Sequence, residues 1–230
     1  MELQGAKLLG VGLYTAADAR TLTGVPLARI RRWLRGYAHG TGEDKTWTPP
    51  LWRPQLPELG GTLHIGFRDL IELRTVDAFR RAGLSLQQLR RAYEAAQQIV
   101  GEERPFSSAR FRTDGKKLYL QVVRVSGEPD LIDLLTRQHN FNTVVEPTLK
   151  HLEYNEMEAV RWWPAAGRGL VVIDPKRAFG RPIVASTGVS TDAVADAYSL
   201  EQSYSRVAAD FGMSEKEVRA AVGFERALAA

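Results

Sequence analysis

An α+β chain, mainly helical, is what the 230 residues predict, on three observations. Apolar residues recur at helical spacing through 14–37 and 67–100, punctuated by Gly24, Gly36 and Gly83. Strand-like runs gather at 110–123, 151–164 and 170–173. Helix-start signals resume near the C-terminus, where Ser199 and Ser214 each precede Gln or Glu by three residues. The expected organisation is 1–104, a small α+β middle segment at 105–167, and a helical tail at 168–230, within the length of two small domains.

The first segment opens with Thr15 as a helix N-cap and Asp18 three residues on, so a short helix runs to about Thr23. Gly24 supplies a sharp turn and Pro26 suits the start of a second helix. Leu27, Ile30, Trp33 and Leu34 share one face of that helix. Ala28, Arg29, Arg32 and Arg35 take the other, with Arg31 on its flank, and Gly36 ends the helix. This spacing is that of a helix-turn-helix.

A solvated arginine face would look the same locally. The charge distribution separates the readings. Residues 1–40 hold six cations against two anions, 41–104 balance at nine each, 105–181 hold twelve against nine, and 182–230 hold four against seven. The chain's net +4 therefore matches the surplus of its first forty residues, the footprint of a nucleic-acid binder. A small residue among arginines lets the helix approach a groove, and arginine clamps phosphate or reads guanine. The expected duplex-DNA contacts are Thr15, Ala28, Arg29, Arg31, Arg32, Arg35, Tyr37 and Arg53.

Residues 37–66 hold Trp47, Trp52, four prolines and Gly60-Gly61, an ordered loop or β-wing, since tryptophans need packing partners. From Phe67 to Ala82 the apolar residues spread around most of the wheel, as in a helix buried on several sides. Ser85 and Gln88 form a capping box for a third long helix. Its seam, Leu86, Leu89, Tyr93, Ala96 and Val100, suits packing within the chain or across a dimer.

The runs YTAADARTLTGVPLARIRRWLRGY and GFRDLIELRTVDAFRRAGLSLQQLRRAYEAA resemble the winged helix-turn-helix head of MerR-like regulators. Over nearly the whole chain the sequence is similar to antitoxins of VapBC-type toxin–antitoxin pairs with this head and a small tail domain. The resemblance implies a dimer on its own double-stranded operator that neutralises a PIN-like ribonuclease toxin. Arg20 departs from it, standing where such heads usually carry alanine. The long dimerisation helix and ligand cysteines of effector-type relatives are not evident. A stand-alone regulator with an effector-binding middle segment remains the alternative.

In the middle, RFRTDGKKLYLQVV reads as a hairpin turning at Asp114-Gly115. Leu131–Leu135 and Val144–Leu152 read as short helices, and HLEYNEMEAVRWWP as a strand pair ending at Pro164. Trp162 and Trp163 point to opposite faces of a strand, so either one of them is exposed as a protein-binding anchor or the sheet is covered on both faces. Asp130, Asp133, Glu146, Glu153, Glu156 and Glu158 are the carboxylates a metal nuclease would need, but they follow no motif. His39, His64, His139 and His151 lack ligand spacing, and no phosphate loop or nucleophile elbow is present. Neither enzyme, metal nor cofactor is expected.

In the tail, Leu170–Ile173 is a buried-type strand before an Asp174-Pro175 turn. Ala208, Gly212 and Val218 repeat the helix-turn-helix spacing, but Glu215, Lys216, Glu217 and Arg219 make a mixed face in a net-acidic segment. Acidic surface repels phosphate, so this motif reads as a protein contact. DPKRAFGRPIVASTGVSTDAVADAY is similar to the antitoxins' tail domain. The toxin-facing candidates are Trp162, Lys176, Arg177, Phe179 and Arg181, an arginine pairing with metal-binding aspartates of the toxin; the stretch from Lys176 to Arg181 could equally hold the tail against the middle segment. The absence of cysteine, of a signal-like N-terminus and of any long apolar run fits a cytoplasmic protein away from membranes.

Overall fold

The structure is a computed structural model that describes residues 10–58, 60–113 and 144–229. It divides into two compact units: a head of residues 14–150 and 155–159, and a tail of 1–13, 151–154 and 160–230. Of the stretch 105–167, described residues 105–113, 144–150 and 155–159 belong to the head, and 151–154 and 160–167 to the tail.

The head begins with β1 (Tyr14–Thr15), α1 (Ala16–Thr23) and α2 (Leu27–Arg35). A hairpin of β2 (Tyr37–His39) and β3 (Thr46–Thr48) forms the wing. β4 (His64–Ile65) returns to pair antiparallel with β1, and α3 (Phe67–Arg81) and α4 (Leu86–Val100) follow. The expected capping box at Ser85 is made: Ser85 N–H donates to Gln88 Oε1 at 2.8 Å and Gln88 N–H to Ser85 Oγ at 3.2 Å.

α3 is the central rod. Phe67, Leu70, Ile71, Leu73, Val76 and Phe79 are buried along it, and so are Asp69, Glu72 and Asp77. The Asp69 carboxylate accepts from Gly66 N–H (3.0 Å), Gln55 N–H (2.8 Å), Trp52 Nε1 (3.1 Å) and Arg104 Nε (2.9 Å). Glu72 accepts from the Phe106 and Ser107 amides. Two buried acids thereby moor the loop after the wing and the segment after α4. Burial pushes Glu72 up to about 7, against the lowering pull of the Ser107 hydrogen bonds and Arg68.

The α4 seam is filled from within the chain. Tyr93 stacks on Trp52 at 5.1 Å and meets Phe106 edge-on at 5.4 Å, while Leu89, Ala96 and Val100 are buried. Of the two uses open to that seam, internal packing is the one observed.

Two local expectations change. Residues 109–113 are helical, not the start of a hairpin strand, because Ser108 Oγ accepts the Phe111 amide and opens a helical turn. Asp114-Gly115 and Leu131–Leu135 lie outside the described residues. The helix expected over Val144–Leu152 is shorter, α5 (Glu146–Leu149), and Leu152 is already strand, with His151 left-handed at φ 64° between them.

The tail holds the antiparallel sheet β5 (Leu152–Tyr154), β6 (Ala159–Trp162), β7 (Val171–Ile173) and β8 (Pro182–Val184), in that order. Val171, Val172 and Ile173 face Val184, Ile183 and Pro182. Three helices follow: α6 (Thr191–Glu201), α7 (Tyr204–Asp210) and α8 (Glu215–Ala229). Val184, Val194, Val207, Val218, Ala221 and Val222 form their shared core. The capping box expected at Ser199 is not formed. Ser199 lies in the last turn of α6, which Gln202 closes in a left-handed conformation, and Ser203 caps α7 instead. Ser214 and Glu217 do cap α8, through Ser214 N–H to Glu217 Oε2 (2.7 Å) and Glu217 N–H to Ser214 Oγ (3.3 Å).

Candidate nucleic-acid interface

Thr15 closes the start of α1: its amide and hydroxyl each donate to Asp18 Oδ2 at 2.8 Å, and its Oγ1 accepts the Asp18 amide at 3.1 Å. Its hydroxyl is thus engaged in the cap. Gly24 turns the chain at φ 72°, Val25 is fully buried beneath the turn, and α2 departs. Ile30, Trp33 and Leu34 anchor α2, as the periodicity requires. Its outer face carries Ala28, Arg31 and Arg32, all exposed.

The four expected arginines divide. Arg29 Nη1 lies 2.8 Å from Asp77 on α3, a carboxylate it shares with Arg81 at 2.6 Å. Arg35 is held by Glu58 and the Gly61 carbonyl. Arg32 is exposed, with its guanidinium carbon 5.0 Å over the centre of the Tyr37 ring, a cation–π contact. Arg31 is exposed beside it.

Gly36 joins reader helix to wing at φ 75°, where a Cβ would lie 2.5 Å from the Thr48 carbonyl oxygen. Only glycine lets the wing fold back so closely. The two wing tryptophans behave differently. Trp52 is buried, but Trp47 is 60% exposed, contrary to the expectation that each would find packing partners. Lys45 is exposed next to it, and Arg53 is exposed while its carbonyl accepts Arg104 Nη2 at 2.6 Å. The exposure of Trp47 is what the sequence reading missed; its signal was its place among Lys45 and two threonines, with few apolar neighbours.

The second helix-turn-helix, α7–α8, turns at Gly212 (φ 62°). Its reader-like helix spends its cations internally: Arg219 pairs with Glu215 at 2.8 Å and lies 4.0 Å over the Tyr204 ring. Lys216 is exposed among Glu215 and Glu217.

The toxin-facing candidates also separate. Trp162, expected as an exposed anchor, is buried at 7%, because the inner face of β6 carries it into the sheet; Trp163 is half-buried. Arg177 Nη1 donates to the Ala185 carbonyl at 3.0 Å, and Arg181 pairs with Asp192 at 2.5 Å. Lys176 is exposed and Phe179 is 63% exposed. Ala178 and Phe179 are both left-handed, at φ 46° and 54°. That conformation costs an L-residue about 1–2 kcal/mol.

Among the described residues no group of three or more His, Asp or Glu is placed to hold a metal ion, and no helix is long and apolar enough to cross a membrane. Asp130, Asp133 and His139 lie outside those residues. Glu153 and Glu158 are paired with Arg161 and Arg68.

Comparison with known proteins fits this division. Residues 12–93 match the family described as "Putative DNA-binding HTH domain", and residues 171–224 match "Protein of unknown function (DUF433)". The chain is 28% identical over 228 residues, 92% of its length and 93% of the relative's, to "Putative antitoxin VapB45" of Mycobacterium tuberculosis. It is also similar to the crystal structure of Rv2018 from Mycobacterium tuberculosis, at 26% identity and a TM-score of 0.71, over 93% of this chain and 99% of that one.

Proposed function

We propose that this protein is a DNA-binding antitoxin: its head binds the operator of its own operon, and its tail holds and neutralises a PIN-like ribonuclease toxin. The observation that carries the DNA half is the outer face of α2, where Ala28, Arg31 and Arg32 stand exposed on a helix fixed by a buried core. Arg31 and Arg32 are the base readers in this reading, with Arg32 resting over Tyr37. Arg29 and Arg35, engaged with acids, contribute to phosphate potential at the flanks, as does Arg53. Thr15 sits at the start of α1, where a phosphate favours a helix N-terminus. The toxin half is supported by the similarity to a protein named as an antitoxin and by the acidic, internally paired surface of α7–α8.

One short helix makes few contacts, so the operator complex is a two-fold dimer. Its interface lies elsewhere than the α4 seam, which is occupied. No cofactor or membrane enters this reading, and its setting is the cytoplasm. Fluorescence anisotropy with duplex DNA from the chain's own promoter tests it. Expected is sequence-preferential binding that weakens steeply with salt. Equal affinity for promoter and scrambled duplex would end the reading.

A further inference from the structure

We infer that Leu13 and Phe179 together form the apolar anchor of a protein-docking surface on the tail unit, made for a partner whose apolar pocket is edged by carboxylates. The inference rests on the antitoxin reading, and the partner is the toxin.

Phe179 and Leu13 are 63% and 43% exposed, two of the five exposed large hydrophobic side chains among the described residues. They are neighbours: the Leu13 N–H donates to the Phe179 carbonyl at 2.9 Å. Residues 10–13 run beside this turn, since a Cβ on Gly10 would lie 3.6 Å from Lys176 Cγ. Leu13 thus arrives from the far end of the sequence, which is why no local pattern singles it out.

The turn is built to present the ring. Two successive non-glycine residues, Ala178 and Phe179, are left-handed, yet the ring gains no burial from it. Strain of this kind persists where the surroundings enforce it, and it gathers at binding sites. Here Lys176 N–H donates to Asp174 Oδ1 (2.9 Å), Arg177 N–H to the Asp174 carbonyl (3.0 Å), Gly180 N–H to the Arg177 carbonyl (2.8 Å) and Arg181 N–H to the Ala178 carbonyl (3.0 Å). A knob held this firmly loses little freedom on binding.

Charge names the partner. Of the three cations on this turn, Arg181 pairs with Asp192 and Arg177 donates to the Ala185 carbonyl, which leaves Lys176 exposed at the rim. Carboxylates complement that rim. Exposed aromatic and aliphatic residues on adjoining backbone suit a protein pocket better than a phosphate backbone.

The test uses the full chain and the product of the adjacent reading frame, purified separately and titrated by calorimetry. Phe179→Gly removes the ring at a backbone conformation glycine prefers, so its Tm is expected to be no lower than that of the parent. Both Phe179→Gly and Leu13→Ser are expected to weaken binding at least about tenfold. Lys176→Glu is expected to slow association and flatten its salt dependence. If the parent chain binds the neighbour and both apolar variants bind equally well, the anchor is wrong while the antitoxin reading stands. If the parent does not bind it, the antitoxin reading fails and takes the anchor with it. If Phe179→Gly lowers operator affinity instead, the turn contacts nucleic acid and the protein-docking assignment is overturned.

Discussion

The chain contains the same motif twice, and the two copies differ in what their second helix does with its cations. In the head, α2 sets Arg31 and Arg32 outward while acids on α3 and the wing loop take Arg29 and Arg35. In the tail, α8 folds Arg219 onto its own Glu215 and onto Tyr204. Both units hold buried carboxylates that gather backbone donors, Asp69 and Glu72 in the head and Asp174 in the tail, but the tail helices themselves pack on valines and alanines with their capping acid at the surface. A helix-turn-helix is therefore a geometry, and the pairing state of its arginines decides whether it can serve a phosphate.

The largest effect expected from this contrast is at Asp69. Asp69→Ala orphans Trp52 Nε1, two amides and Arg104 Nε, and removes the buried acid from a charge that keeps the Arg53 carbonyl and Glu103. Thermal denaturation should show a loss of about 3–5 kcal/mol; a loss below about 1 kcal/mol would mean the mooring is ornamental.

Next comes pH. The folded pKa of Glu72, about 7, lies above its ordinary 4.5, so between these values the folded chain binds more protons than the unfolded one. Its contribution to stability is therefore greatest at and below about pH 4.5 and declines as pH rises to 7, by on the order of 2–3 kcal/mol. Glu72→Gln should flatten that part of the stability–pH curve, and an unchanged curve would contradict the assignment.

For the reader, Arg31→Ala and Arg32→Ala should each cost about 1–3 kcal/mol of operator binding if they touch bases, with less discrimination against scrambled duplex. Lys216→Ala and Arg219→Ala in the tail should leave operator affinity unchanged. A matching loss there would erase the distinction between the copies. The smallest effect is at the tail cap, where Ser214→Ala should lower stability by about 1 kcal/mol, read by denaturant titration.

What was legible in the sequence was local. Thr15 with Asp18, Gly24, Gly36 and Ser85 with Gln88 act within a few residues, and each does in the fold what its spacing implied. What was hidden acts at a distance. Arg29 meets Asp77 across 48 positions, and Asp69 meets Arg104 across 35, so four equivalent-looking arginines and a run of apparently solvated acids sorted themselves only on folding. Trp162 illustrates the same limit: alternation told that Trp162 and Trp163 face opposite ways, but not which face the sheet would cover. The exposed Leu13–Phe179 pair was half visible, since nothing near Leu13 in sequence refers to Phe179.

The path of the chain between the units has its own consequence. Residues 10–13 belong to the tail, the chain passes to the head at Tyr14, returns at residue 151, and lends residues 155–159 back to the head before rejoining the tail. No single cut separates the two. A fragment beginning at residue 168 would lack β5 and β6 and bare the Val171–Ile173 edge to other chains. One ending at residue 104 would lose Ser107 and Glu158, which hold Arg68. Each unit draws on more than one stretch of the chain, so recombination at a single point cannot exchange one unit while keeping the other whole.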